Sequence, residues 1–200
     1  MIMKIIVLSN VYPPAEDSWQ TAELLRWVMS NHANDGYLRI IDVGSGTGIL
    51  ALTALNEIVS KGGTAWVLAA DHDYNASMNT RINLVNNGLY HYADVITMNL
   101  LDAIRTRFCL DIVVSNPPYL PGNWNEDWRI FGGSHGNDVI KQLIQQICQY
   151  KASMFILTQS SLSNWEESID YLGRCGYKLV MIKATHYFFE DIITMVFNKV

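Results

Sequence analysis

Short apolar runs alternate with longer stretches of helical character along nearly the whole chain. Residues 38–43, 64–70, 93–98, 111–115 and 154–158 are rich in Ile, Val, Leu and Ala, as expected of strands buried on both faces of a parallel sheet. Helices are predicted between them, over 49–59, 76–84, 137–150 and 164–175. In 137–150, Val139, Ile140, Leu143, Ile144 and Ile147 recur at helical spacing. An earlier helix, capped by Asp17 or Ser18, places Leu24, Leu25, Trp27 and Val28 near one face and stops around Asn34-Asp35-Gly36. Before it, residues 3–8 read as a short strand or an extended arm. Residues 121–136 hold Trp124, Trp128 and Phe131 without a period, so they read as a long loop of the kind that carries function. Two final runs, 178–182 and 192–197, follow one another without a helix. They predict an antiparallel pair joined across His186-Tyr187-Phe188-Phe189, closing an α/β sheet that is otherwise parallel. The 200 residues suit one domain, 1–200.

The candidate chemistry sits where strands stop. The run ending at Val114 leads into Ser115-Asn116-Pro117-Pro118-Tyr119. Two prolines supply no backbone N–H and bias the preceding residue toward extended geometry, so the chain stays open there. An amide side chain, a free carbonyl and an aromatic ring are grouped at one strand end. Another strand ends in Asp42-Val43-Gly44-Ser45-Gly46-Thr47-Gly48, whose glycines permit positive φ and let a nucleotide-like ligand approach the backbone. The spacing differs from the Gly-x-Gly-x-x-Gly dinucleotide fingerprint. Asp71, about 25 residues further on, ends the next strand, where a carboxylate can accept both hydroxyls of a ribose. Upstream, Pro13-Pro14-Ala15-Glu16-Asp17-Ser18 forces an extended path, and Glu16 and Asp17 read as helix-start acids that suit the dipole.

Composition narrows the partners. A formal charge of −5 opposes the basic face on which nucleic-acid binding usually rests. Charged residues are 16%, below the roughly 25% of an average soluble domain, which hints at apolar surface covered by a partner. Cys109, Cys148 and Cys175 are odd in number and widely spaced, so we expect free thiols in a reducing compartment, neither a metal site nor a disulfide framework. The start is too short for a spanning helix and lacks a cleavage site, which points to a cytoplasmic protein with no membrane association. The five histidines show no base-plus-orienter spacing, and His135, inside the long loop, is the one to watch.

Together these motifs resemble the class I S-adenosylmethionine-dependent methyltransferases. The glycine loop is similar to their first motif and Asp71 to their ribose acid. Asn116-Pro117-Pro118-Tyr119 looks like the signature of members that methylate a planar amide or amine nitrogen. Pro14-Ala15-Glu16-Asp17-Ser18 upstream, with Gly132-Gly133 and Gly136 downstream, resembles the HemK/PrmC glutamine methyltransferases of release factors. It is closest to the archaeal and eukaryotic branch, which lacks the N-terminal helical domain. Departures are Pro13 where an acid is frequent, Asn99 where Asp is common near the adenine, and Ser134 where Arg or Lys often follows the paired glycines.

That resemblance implies a Rossmann-like, seven-stranded, mostly parallel methyltransferase fold with an antiparallel closing strand. The implied activity is methyl transfer from S-adenosylmethionine to the N5 of the Gly-Gly-Gln glutamine of a class I release factor. A heterodimer with a small zinc-binding activator protein is also implied. Ser18, Asp42, Gly44, Gly46, Asp71, Asn99, Leu100 and Asn116 would hold the cofactor. Asn116 and the Pro117 carbonyl would accept the two amide N–H bonds, and Pro118 and Tyr119 would help hold the substrate, Tyr119 by its ring face. No metal is expected. The same signature serves adenine-N6 or guanine-N2 chemistry on RNA or DNA, the alternative reading.

Overall fold

In the computed structural model, which describes residues 3–32 and 36–200, seven strands form one sheet in the order β3-β2-β1-β4-β5-β7-β6. Strands β1 (Tyr37–Val43), β2 (Thr64–Asp71), β3 (Ala93–Thr97), β4 (Ile112–Ser115) and β5 (Met154–Ser160) are parallel. The hairpin of β6 (Tyr177–Tyr187) and β7 (Glu190–Lys199) closes the sheet, with β7 antiparallel to both β5 and β6. The closing strands are longer than the apolar runs suggested, and the link shrinks to Phe188-Phe189. From Lys178 onward β6 alternates exposed with half-buried positions, so its polar half carries no apolar run to read.

Helices cover the two faces. On one, α1 (Glu16–His32), α2 (Ile49–Ser60) and α3 (Tyr74–Asn86) set Leu25, Leu52, Leu55 and Leu84 against Ile40, Val67, Val114 and Ile156. On the other, α5 (Asp138–Tyr150) and α6 (Trp165–Arg174) set Ile140, Leu143, Ile147 and Leu172 against Ile41, Val113, Phe155 and Phe197. Within 121–136 a single turn of helix, α4 (Trp124–Asp127), interrupts the loop. Two expectations are corrected. Trp27 lies on the outer side of α1, 54% exposed, while Leu24, Leu25 and Val28 are buried with Met29. Cys148 and Cys175 are joined in a disulfide rather than free. The packing of α5 beside α6 brings their Cα atoms to 5.5 Å across 27 residues of sequence, a proximity that spacing alone does not show. Cys109 is free and exposed. The expected helix stop at Asn34-Asp35 lies outside the described residues.

Residues 3–8 form an extended arm that never joins the sheet. Asn79, Asn83 and Asn87, four residues apart along α3 and its cap, grip the arm by its main chain. Their Oδ1 atoms accept from the N–H groups of Leu8, Ile6 and Lys4 at 2.7–2.9 Å. Their Nδ2 atoms donate to the carbonyls of Ile6 and Lys4. The helical repeat of about 6 Å per four residues matches two residues of extended chain, so a helix face substitutes for a neighbouring strand. Asn83 also donates to the Thr47 carbonyl at 2.9 Å, tying the arm to the glycine loop.

Candidate active site

The neighbours β1 and β4 lead into crossovers on opposite faces of the sheet, and the cleft beyond their carboxyl ends is where open α/β sheets bind ligands. A cavity of about 280 Å³ lies there. Gly44 and Gly46 line it with φ of 75° and 53°. A Cβ built on either meets no protein atom within 4 Å, so each glycine leaves a ledge open to a ligand. Gly48 answers to packing instead, since a Cβ there would lie 2.9 Å from Thr80 Cγ2. Thr80 Oγ1 braces the loop through Ser45 Oγ and the Gly46 carbonyl, both at 3.0 Å.

Asp71 lies at the cavity wall with its carboxylate held by the Gly46 N–H (2.9 Å) and the Asp73 N–H (3.0 Å). Burial raises its pKa against those bonds and the nearby His72. Each oxygen keeps a lone pair for a further donor. Asn99 and Leu100 line the same cavity, and Asn99 donates to Asp102. Asp42 does not line it. It is fully buried behind the loop, where Oδ2 accepts the Ala51 N–H at 3.0 Å and Oδ1 has no partner. Desolvation pushes its carboxyl up to about 7.

On the opposite wall Asn116, Pro117 and Pro118 line the cavity with Ser18, Tyr12 and Pro14. Their organiser is Asp17, 5% exposed. Asp17 Oδ2 accepts from Asn116 Nδ2 and the Tyr119 hydroxyl, both at 3.0 Å, while Oδ1 accepts the Ser18 N–H at 2.6 Å and, at 3.5 Å, the Tyr12 hydroxyl. A carboxylate only accepts, so the nitrogen end of Asn116 must face it. Asn116 Oδ1 is thereby turned away, and it is buried without a hydrogen-bond partner. Asp17 is itself fixed through α1. Thr21 Oγ1 donates to the Asp17 carbonyl and meets Thr158 Oγ1. Gln20 Nε2 donates to the carbonyls of Ile192 and Lys183.

Tyr119 differs from expectation. It is 8% exposed, packs in the core under the loop and does not line the cavity. What reaches the site is its hydroxyl, through Asp17, and burial together with that acid holds its pKa far above the usual tyrosine range. Two glycines fit the following loop against this backbone. A Cβ on Gly132 would lie 2.5 Å from the Pro118 carbonyl oxygen, and one on Gly136 2.1 Å from that of Tyr119. The loop turns Trp124, Trp128 and Arg129 toward the cavity, with Trp128 edge-on to His72 at 4.4 Å. Asp127 pairs with Arg129 at 2.7 and 2.8 Å. His135 is exposed and lies outside the lining.

Of the residues expected at the site, Ser18, Gly44, Gly46, Asp71, Asn99, Leu100, Asn116, Pro117 and Pro118 share one cavity, while Asp42 and Tyr119 stand behind it. Asp17, Tyr12 and His72 were not among the expected site residues. In sequence Asp17 reads as a helix-start acid, which is correct for its place in the first turn of α1 and silent about its burial. The signal available was Tyr12, five residues upstream across two prolines.

Residues 3–131 match the model of the methyltransferase small domain family. A release factor glutamine methyltransferase of Bradyrhizobium diazoefficiens is 30% identical over 122 residues, 56% of this chain and 39% of that protein; the chain therefore spans well under half of that relative's length. Among solved structures, the E. cuniculi Mtq2-Trm112 complex, described as responsible for methylation of the termination factor eRF1, superposes with a TM-score of 0.68 at 21% identity, covering 96% of this chain and 99% of that one. The catalytic domain of hMettl16, solved with an RNA hairpin, superposes with a TM-score of 0.73 at 14% identity, covering 98% and 74%. The chain belongs to the methyltransferase small domain family, and within it resembles the HemK/PrmC release factor glutamine methyltransferases.

Proposed function

We propose that this protein methylates the side-chain amide nitrogen of a glutamine in a class I release factor, at the Gly-Gly-Gln loop, with S-adenosylmethionine as donor. The observation that carries the reading is the lone Oδ1 of Asn116, buried beside the cavity while its Nδ2 is locked to Asp17. A buried acceptor without a donor is costly, and a primary amide supplies the missing N–H. The open ledges at Gly44 and Gly46 and the Asp71 carboxylate fit a nucleoside carrying an amino acid.

When bound, the cofactor supplies an electrophilic methyl group on a sulfonium. The protein's part is placement. Asn116 Oδ1 accepts one amide N–H and the Pro117 carbonyl the other, which aligns a weak nucleophile and stabilises positive charge developing on it. Pro117 and Pro118 stiffen the carbonyl-bearing backbone. The negative Asp17, one hydrogen bond behind Asn116, favours the same charge, and the proton leaves after transfer. A small activator subunit completes the assembly, a reading supported by the pairing of Mtq2 with Trm112 in the E. cuniculi complex, and the zinc-binding kind is the one we expect. No described helix is long and apolar enough to cross a membrane, and action in the cytoplasm fits a translation-factor substrate.

Charge sets the protein acceptor above the nucleobase alternative. The chain carries −5 overall, and Glu16, Asp17 and Glu190 all act on the Tyr12 hydroxyl at the acceptor side, a poor surface for a phosphate backbone. The test is labelled-methyl transfer by the purified protein, with and without an activator subunit, to a release factor, to its Gln-to-Ala variant and to total RNA and DNA. Label in the first and none in the second is expected. Equal labelling of both, or label only in nucleic acid, overturns the reading.

A further inference from the structure

The β6–β7 hairpin ends in the two most exposed aromatic rings among the described residues, Phe188 at 88% and Phe189 at 92%. They form a two-residue link between Tyr187 and Glu190, which pair across the hairpin. Phe188 has φ of 50°, at a place two-residue hairpins usually give to glycine, and a bulky residue there is strained. With both rings in solvent, no packing within the chain offsets that strain. Yet the tip is held in place. Strands β6 and β7 pair along their length, and the Ser161 N–H and Oγ bond Asp191 main-chain groups at 2.9 and 2.8 Å.

The tip adjoins the acceptor side of the cavity. Glu190, next to Phe189, lies within electrostatic reach of the Tyr12 and Tyr119 hydroxyls, and its Oε2 is buried without a hydrogen-bond partner. Gln20, one turn along α1 from Asp17, bonds the Ile192 carbonyl at 2.8 Å. Leu162, next to the Ser161 that bonds Asp191, adds a 53% exposed apolar side chain near the same end of the sheet. The feature is therefore a stiff apolar tip whose inner neighbours are carboxylates.

We propose that Phe188 and Phe189 form a docking lip for the acceptor protein, inserting into an apolar seam beside its glutamine loop while Glu190 and Glu16 face basic residues flanking that loop. This rests on the protein-acceptor reading above. Two rigid rings lose little conformational freedom on binding and bury large areas, the character of interface anchors. The acids exclude a polyanionic occupant and select a cationic protein surface.

The experiment compares wild type with Phe188→Ser/Phe189→Ser and with Phe188→Gly, on two acceptors: an intact class I release factor and a synthetic peptide spanning its Gly-Gly-Gln loop. For the intact factor, KM should rise at least about tenfold in the double variant with kcat within about twofold, while peptide kinetics stay unchanged. Phe188→Gly should raise Tm by about 2 °C or more, because glycine relieves the positive φ, and still raise KM for the intact factor. A purely structural role would move stability and KM together. Unchanged KM for the intact factor in both variants overturns the lip. So does loss of sedimentation with phosphatidylserine vesicles as the sole effect, which would make the tip a membrane anchor. Should wild type, with the activator subunit present, methylate neither acceptor, the glutamine reading falls and the lip with it, whereas turnover with unaltered KM sinks the lip alone.

Discussion

Asp17→Asn isolates what orients the acceptor group. The substitution keeps the shape and removes the property on which the network depends, acceptance on both oxygens. One end of the new amide must present N–H donors either to the Ser18 N–H and Tyr12 hydroxyl or to Asn116 Nδ2 and the Tyr119 hydroxyl, all of which are donors toward Asp17. In either arrangement the constraint on Asn116 weakens. A hydrogen bond to a charged partner contributes about 1.5–3 kcal/mol. If the bond to Asn116 Nδ2 is the one that keeps Oδ1 on the substrate amide, its loss appears in the barrier as roughly a 10- to 150-fold fall in kcat, at about 1.4 kcal/mol per decade. The glycine loop and Asp71 lie on the other wall, so cofactor affinity by calorimetry should stay within about threefold. Asn116→Ala should match or exceed the loss, and the double variant should be far from additive because both changes remove one interaction. A kcat for Asp17→Asn within threefold of wild type, with cofactor affinity intact, would refute the orienting role.

Three further outcomes follow from the geometry. Asn83→Ala removes two bonds to Ile6 and one to Thr47 from a fully buried side chain, so urea denaturation should show a loss of about 2–4 kcal/mol, against less than about 1 kcal/mol for the exposed bonds of Asn87→Ala. Gly136→Ala combines φ of 70° with a Cβ 2.1 Å from the Tyr119 carbonyl oxygen and should cost about 3 kcal/mol or more; a thermal melt within 2 °C of wild type would contradict this close fit. Asp42, raised to about 7 by burial, binds its proton more tightly folded than unfolded. Its contribution is fully present below about pH 4 and is lost as pH rises toward 7 and beyond, up to roughly 4 kcal/mol. Asp42→Asn should flatten that part of the stability-versus-pH curve, and a parallel curve would rule the assignment out.

The parallel half of the fold was legible because strands buried on both faces leave continuous apolar runs, as residues 64–70 and 111–115 do. The closing hairpin was legible only in part, since β6 is an edge strand with one face exposed and its Lys183, Thr185 and His186 break the run. At the site, the glycine loop, Asp71 and Asn116 lie at ends of strands, and position along a strand predicts position in space. Asp17 reaches Asn116 across 99 residues of sequence, and apart from Tyr12 five residues upstream nothing local distinguishes a buried organising carboxylate from an acid at a helix start. The Cys148–Cys175 bond was hidden for the same reason, its partners meeting only through helix packing.

The arm held by Asn79, Asn83 and Asn87 works as a ruler. The asparagines hydrogen-bond the arm through its peptide groups, and Ile6 and Val7 face outward, 47% and 42% exposed. Side-chain identity at Lys4, Ile6 and Val7 is thus open to drift. Register is not. Proline at 4, 6 or 8 would erase an N–H that an asparagine needs. Inserting one residue between 8 and 12 would move Tyr12 by about 3.3 Å relative to the gripped segment, enough to carry its hydroxyl away from Asp17. The arm therefore measures a fixed length of chain from the back of α3 to the acceptor wall, constrained in count where it is not constrained in letters.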